Sequence, residues 1–467
     1  MDVGEGAARA AAARTASRAS RRKEAAAALG NFSVQYNFQS IAMGLKVAAK
    51  CEDMAPQHLW VKEQSSSAAF AGCILGQMCM GYLGDVVGRS RALSMTLGLA
   101  AVSALFSAVA PWGSANTAYA IVVAARFLIG FGLGGVYPLS AASAAEATTA
   151  ANQDDKEEKT ASVVRTSRAF FWQGPGAMAP YIVAILLRSV LQNQGNCYQW
   201  RVLLGVGAIP ALAVVWLSRD DGGGKAAAFE EESPERALLG DDAPPRELLA
   251  RSGRTNALLL ADLRLWPTWK KVLGTSLSWL LFDVSFYGLT LMGPDVVSAV
   301  FEADESIERA AAQQLAAIAC AIPGTLLTVE LLKRGVSCKT LQLAGFYLAA
   351  AALAAFAALR IALKDRPALV FLSYCFVYFA LSFGPAVTTF VLPAAVFPAA
   401  YRSTLNGVAA ASGKLGAVLG TEIFPALKTR AGLNYVLYAS AALSILGAAV
   451  THVFIERGSA RANDAAQ

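Results

Sequence analysis

The sequence predicts an all-α membrane protein with twelve transmembrane helices in two six-helix bundles. Three observations predict it. Of 467 residues, 55% are hydrophobic and only 16% are charged, against about 25% charged in a soluble globular chain, and mean hydropathy is +0.45. Apolar runs recur along the whole chain, each near the ~20 residues a spanning helix needs. With no water in the bilayer core to satisfy open backbone groups, such runs must be helices. Finally, a single long polar break, 218–268, leaves six runs on either side.

The predicted spans are 28–49, 67–86, 91–111, 118–141, 163–187, 199–217, 270–293, 311–332, 340–361, 368–392, 403–425 and 433–455. The break holds DDGGG (220–224), EEESPE (230–235) and DDAPPRE (241–247), a composition that cannot bury a core and reads as a disordered linker. The expected organisation is a tail over 1–27, a bundle over 28–217, the linker over 218–268, a bundle over 269–456 and a tail over 457–467. Orientation follows from Lys and Arg in short loops. Arg9, Arg14, Arg18, Arg21, Arg22 and Lys23 precede the first span. Arg89 and Arg91 separate the second and third, Lys333, Arg334 and Lys339 the eighth and ninth, and Arg457 and Arg461 follow the twelfth. Tails and linker are therefore expected in the cytoplasm, in a multi-pass protein of the plasma membrane, with an organellar membrane as the alternative. The N-terminus is basic and rich in Ala and Ser like an organellar transit peptide, but Asp2, Glu5 and Glu24 interrupt it, and transit peptides are poor in acids.

The net charge of +7 is this inside bias, so no nucleic-acid partner is expected; the lipid bilayer is. Two His and seven Cys show no metal-ligand spacing, and no nucleophile–base pair stands out. Neither an enzyme nor a cofactor is expected, and the chain is expected to be a monomer. Cys51 and Cys197 both fall in outer loops, where a disulfide and two free thiols remain open alternatives.

Chemistry enters with the seventh span, which carries Asp283 at its middle. A carboxylate at a helix centre costs about 2.5–3.5 kcal/mol even on insertion scales, which points to a substrate or ion pathway. Trp279 and Tyr287 lie four residues to either side and share its face. On the first span Asn31, Gln35 and Gln39 form a neutral polar stripe at the same spacing.

Between the second and third spans, GYLGDVVGRSRAL (81–93) resembles the signature of the major facilitator superfamily through Gly81, Leu83, Asp85, Gly88, Arg89 and Leu93. Val86 and Ser90 stand where basic residues are usual. The fourth span reads RFLIGFGLGGVYPLSAASAAE (126–146) and is similar to the corresponding signature of the phosphate:proton symporter family, GGDYPLS. SWLLFDVSFYG (278–288), FGPAVTTFVLPAAVFPAAYRST (383–404) and AASGKLGA (410–417) resemble three further stretches of that family. The resemblance implies the major facilitator fold, inorganic phosphate or a related anion as substrate, and protons as coupling ions. It implies substrate contacts at Tyr137, Gln173, Trp279, Asp283, Tyr287 and Lys414, with Asp283 carrying the proton. Asp85, Arg89, Arg126 and Glu146 are expected to form a conformational latch. Packing aromatics remain the plain alternative for Tyr137 and Trp279, and a structural ion pair for Asp283 and Lys414.

Several acids of the family pattern are missing. Val136 precedes Tyr137, Val34 and Asn37 stand at acidic positions of the first span, and Ala386 and Ala395 replace an asparagine and a glutamate. Glu422, near the outer end of the eleventh span, is the remaining candidate to compensate. Moving one charge across 100 mV costs about 2.3 kcal/mol. With one carboxylate the expectation is electroneutral or uncoupled transport. The rival readings are a carrier for another solute (an organic anion, sugar or organic cation) and a non-transporting nutrient sensor.

Overall fold

The computed structural model describes residues 2–51, 54, 59–146, 155–191, 196–219, 245–293 and 306–456. The N-terminal half comprises α1 (Asp2–Ala48), α2 (Leu59–Val87), α3 (Arg89–Val109), α4 (Ala115–Gly134), α5 (Val136–Glu146), α6 (Asp155–Phe171), α7 (Gln173–Leu191), α8 (Asn196–Gly205) and α9 (Ala208–Arg219). The helix α10 (Pro245–Asp262) follows. The second half holds α11 (Trp266–Leu291), α12 (Ile307–Ala319), α13 (Ala321–Lys333), α14 (Cys338–Ala362), α15 (Pro367–Ser382), α16 (Pro385–Val396), α17 (Arg402–Ala431) and α18 (Leu433–Phe454).

The pairs α4–α5, α6–α7, α8–α9, α12–α13 and α15–α16 each supply one crossing with a local break, so the helices form the twelve expected crossings. Ten of these are long and apolar enough to span a membrane among the described residues. The two outside that set are α1 and α17, which carry the Asn31–Gln35–Gln39 stripe and Lys414. Their polar faces turn inward, where Asn31 and Lys414 are at most 1% exposed. The break between α15 and α16 has a specific cause. Gly384 adopts φ +79°, and a Cβ there would stand 2.3 Å from the Leu341 carbonyl, so only glycine fits. Pro385 then opens α16, where its missing N–H costs nothing, and Thr328 Oγ1 accepts the Gly384 N–H at 2.9 Å.

Two features differ from the sequence reading, and one alternative it left open is settled. The first helix does not start near residue 28 but runs back to Asp2, through an Ala- and Arg-rich stretch of strong helix formers. The linker is not disordered throughout, since α10 occupies 245–262, while 220–244 and the tail 457–467 lie outside the described residues. Cys51 and Cys197 are joined as a disulfide, Cα–Cα 5.2 Å, which ties the outer end of α1 to α8.

The helix α10 touches both halves at the end that the Lys/Arg bias assigns to the cytosol, called the inner end below. Ser252 Oγ lies 2.5 Å from the Tyr82 hydroxyl of α2, to which Asn256 also donates at 3.3 Å. Tyr401, just before α17, donates to Asp262. Burial and that neighbouring carboxylate raise the Tyr401 phenol above its ordinary range, so it stays a donor. Tyr401→Phe is expected to free the C-terminal end of α10. Hydrogen–deuterium exchange over 255–262 should then rise several-fold with exchange in α11 unchanged, and equal exchange in α10 would show that the tyrosine holds nothing.

Candidate functional site: a buried ion pair between the two bundles

The site is built where α11 and α17 meet. On α17 small residues face α11, and a Cβ at Gly416 would stand 2.2 Å from the Leu280 carbonyl. Glycine thus lets the two backbones touch, which brings Lys414 of α17 within reach of Asp283 of α11. Lys414 Nζ is 2.9 Å from Asp283 Oδ2 and donates to the Tyr287 hydroxyl at 2.9 Å. Trp279 and Tyr287 lie one turn to either side of Asp283 on α11, both buried. The seventh-span face therefore assembles in the predicted order, with its carboxylate paired rather than alone.

The other bundle closes over this pair. Gln35 Nε2 donates to Gln173 Oε1 at 2.9 Å and lies 3.4 Å from both the Tyr137 and Tyr287 hydroxyls. Tyr137 donates to Gln173 at 3.3 Å, and Gln173 donates to Asn31 Oδ1 at 2.9 Å. Asn31 in turn donates to Ser140 Oγ at 3.1 Å. Tyr137 stacks on Trp279 across the bundle boundary, centroids 6.1 Å apart. Four rings, of Phe38, Phe70, Tyr137 and Tyr287, surround the Lys414 ammonium at 4.1–5.8 Å. The six residues expected to contact substrate thus sit together. Asn31 and Gln35 belong with them; the polar stripe marked both, but nothing in the sequence tied that stripe to Gln173. Phe38 and Phe70 gave no signal beyond ordinary apolar helix positions.

Asp283 and Lys414 are 2% and 1% exposed, so the site is sealed from both sides. At the inner end Asp85 caps α17 of the opposite bundle. It accepts from the Ser403 N–H at 3.2 Å, the Thr404 N–H at 2.7 Å and Thr404 Oγ1 at 2.6 Å, where the helix dipole favours a negative charge. Arg89 pairs with Asp85 at 2.6 Å and with Glu146 at 3.1 Å. Glu146 also holds Arg402 of the other bundle at 2.9 Å. At the outer end Arg188 of α7 pairs with Glu308 of α12 at 2.5 Å, and Ser67 of α2 donates to Glu422 of α17.

Two expectations about position fail. Arg126 does not join Asp85, Arg89 and Glu146; it lies mid-helix in α4, where its NH2 donates to the Asn37 carbonyl at 2.7 Å. Glu422 does not support Asp283. It lies eight residues beyond Lys414, about 12 Å along the helix, and meets Ser67 instead.

A family model described as Major Facilitator Superfamily matches residues 63–421. The inorganic phosphate transporter PT2 of Toxoplasma gondii is 32% identical over 433 residues, covering 92% of this chain and 71% of that protein. The probable inorganic phosphate transporter 1-6 of Arabidopsis thaliana is 29% identical over 434 residues, covering 84% and 81%. Among solved structures, the proton:xylose symporter XylE bound to 6-bromo-6-deoxy-D-glucose superposes with a TM-score of 0.75 at 19% identity. It covers 95% of this chain and 98% of that one. The family match spans most of the crossings, and the fold agrees with it: the chain belongs to the major facilitator superfamily.

Proposed function

We propose that this protein carries inorganic phosphate across a membrane by alternating access, with one proton taken up and released at Asp283. The observation that carries the reading is the Lys414–Asp283 pair, enclosed by neutral donors from both bundles. Curated relatives named as inorganic phosphate transporters, matched along most of the chain, support the substrate.

The pair supplies a coupling device. Lys414 offers one buried positive charge, and Asp283 and a phosphate monoanion compete for it. While Asp283 is ionised it holds the ammonium, and an entering anion meets its repulsion. A proton on Asp283 ends the ion pair and releases Lys414 to the anion. Gln35, Gln173, Tyr137 and Trp279 can then donate to phosphate oxygens, since amide, phenol and indole groups all carry a donor. Loss of the proton returns Lys414 to Asp283 and expels the anion. The site is neutral in both states, so each crossing moves no net charge through it.

Asp283 is the only carboxylate buried at mid-membrane among the described residues; Asp85, the other buried acid, is committed to the α17 N-terminus. One proton per monoanion is therefore the expected stoichiometry, and a second would be needed for voltage to drive uptake. In proteoliposomes, labelled phosphate should accumulate with an imposed pH gradient and ignore an imposed potential at constant pH. Voltage-stimulated uptake with inward current would overturn the stoichiometry. Absence of phosphate uptake or exchange under any gradient would overturn the substrate.

A further inference from the structure

Arg126 is the buried cation that the coupling scheme leaves unused. Its side chain is 1% exposed, and its guanidinium is always charged. Of its three nitrogens only NH2 has a partner, the Asn37 carbonyl; Nε and NH1 are buried with none. No ion pair among the described residues includes it. The Asn37 side chain gives it no partner either: the amide N–H groups donate to Ser33 O at 2.9 Å and Gly207 O at 3.1 Å, and Oδ1 accepts nothing from Arg126. With Asp283 already matched to Lys414, the bundle interior holds two cations against one mid-membrane carboxylate.

The guanidinium lines a cavity of about 10 Å³ that it shares with Phe38, Gln39, Ser66, Phe70 and Tyr287. That volume admits one water-sized particle. Gln39 uses its carbonyl to accept from Tyr181 at 3.4 Å, which leaves an amide N–H as its donor. The walls thus offer guanidinium and amide N–H groups and a hydroxyl, with no carboxylate. Phe38, Phe70 and Tyr287 line this cavity and also flank Lys414, but Lys414 and Asp283 are not among its walls. A water molecule would fit but would leave the charge uncompensated. Phosphate is too large for the cavity as it stands, whereas a halide is only slightly larger than water.

We propose that Arg126 forms a second anion site that holds one small monovalent anion, chloride being the probe, apart from the Lys414 site. This assignment does not depend on phosphate being the transported solute. The test is thermal unfolding of the full-length protein in nanodiscs, with chloride replacing gluconate at constant ionic strength. An anion bound only by the folded state raises Tm as its concentration passes its Kd. Wild type and Lys414→Gln should both gain Tm with chloride, and Arg126→Gln should gain none. A chloride shift retained in Arg126→Gln, or none in wild type, overturns the site. If Arg126→Gln does not fold, Arg126→Lys keeps the charge with fewer donors and should bind chloride severalfold more weakly; affinity equal to wild type overturns the site. Phosphate producing an Arg126-dependent shift in Lys414→Gln, with chloride producing none, overturns the choice of a halide. Bromide-soaked crystals should show an anomalous peak beside Arg126, and an empty cavity there counts against the proposal.

Discussion

Lys414→Gln is expected to weaken phosphate binding about a hundredfold or more and to abolish uptake. Removing one partner of a buried, hydrogen-bonded charge pair at a binding interface costs about 2–5 kcal/mol, and each 1.4 kcal/mol is about a factor of ten. Arg126 does not stand in for the ammonium, since it lines a cavity whose walls include neither Lys414 nor Asp283. The same substitution leaves Asp283 buried without its counter-ion, and breaking a buried pair from one side destabilises by about 3–5 kcal/mol. A loss of uptake alone would therefore not separate binding from folding. The double variant Asp283→Asn/Lys414→Gln does so. It removes both charges, so its Tm should return toward wild type while phosphate binding stays lost. Titration calorimetry on both variants in nanodiscs checks this. Phosphate affinity within tenfold of wild type in Lys414→Gln would mean that the pair is a structural tie and not the anion site.

Much of this arrangement was legible because membrane chemistry makes polar residues conspicuous. Asp283, Trp279 and Tyr287 are four residues apart on one helix, so their common face follows from helical geometry alone. The pairing of Asp283 with Lys414 does not, because 131 residues separate them; the family resemblance placed both near substrate and left open how they meet. Gln35 shows the limit more sharply. Its three partners lie 102, 138 and 252 residues away, and no local pattern says which helix its stripe will face. The helix α10 was missed for a different reason. The acidic and Gly-rich stretch at 220–244 dominates the composition of the linker, and the amphipathic segment behind it is too short to register as a span. The motif alone assigns Arg126 to the latch. The four-residue spacing to Gly130 does record close packing, since a Cβ on Gly130 would stand 1.9 Å from the Ala69 carbonyl. It carries no information about the depth at which the arginine sits or about its missing counter-ion.

Gly407→Leu is expected to stop transport in a protein that still folds. On α17, a Cβ at Gly407 would stand 2.4 Å from the Gln77 carbonyl of α2; on α2, one at Gly81 would stand 2.6 Å from the Ser403 carbonyl of α17. These helices belong to opposite bundles, and backbone cannot yield as the tip of a flexible side chain can. The contact lies at the inner end, closed in this structure, beside the Asp85 cap on α17. Under alternating access the bundles part there in every cycle, so a leucine that forbids the contact selects the inward-open form without breaking either bundle. The Asp85 bonds to Ser403 and Thr404 would be lost with it, which removes the inner latch as well. Gly130→Leu is the control. It meets Ala69 within one bundle, where the contact must persist in all states, so that variant should fail to fold. For Gly407→Leu, spin labels at Ser90 and Lys333 on the inner ends of the two bundles should report a longer distance that phosphate no longer changes. Thermal unfolding should remain cooperative. Unfolding of Gly407→Leu to the same degree as Gly130→Leu would show that α2 and α17 form a fixed interface, and the two bundles would then have to open elsewhere.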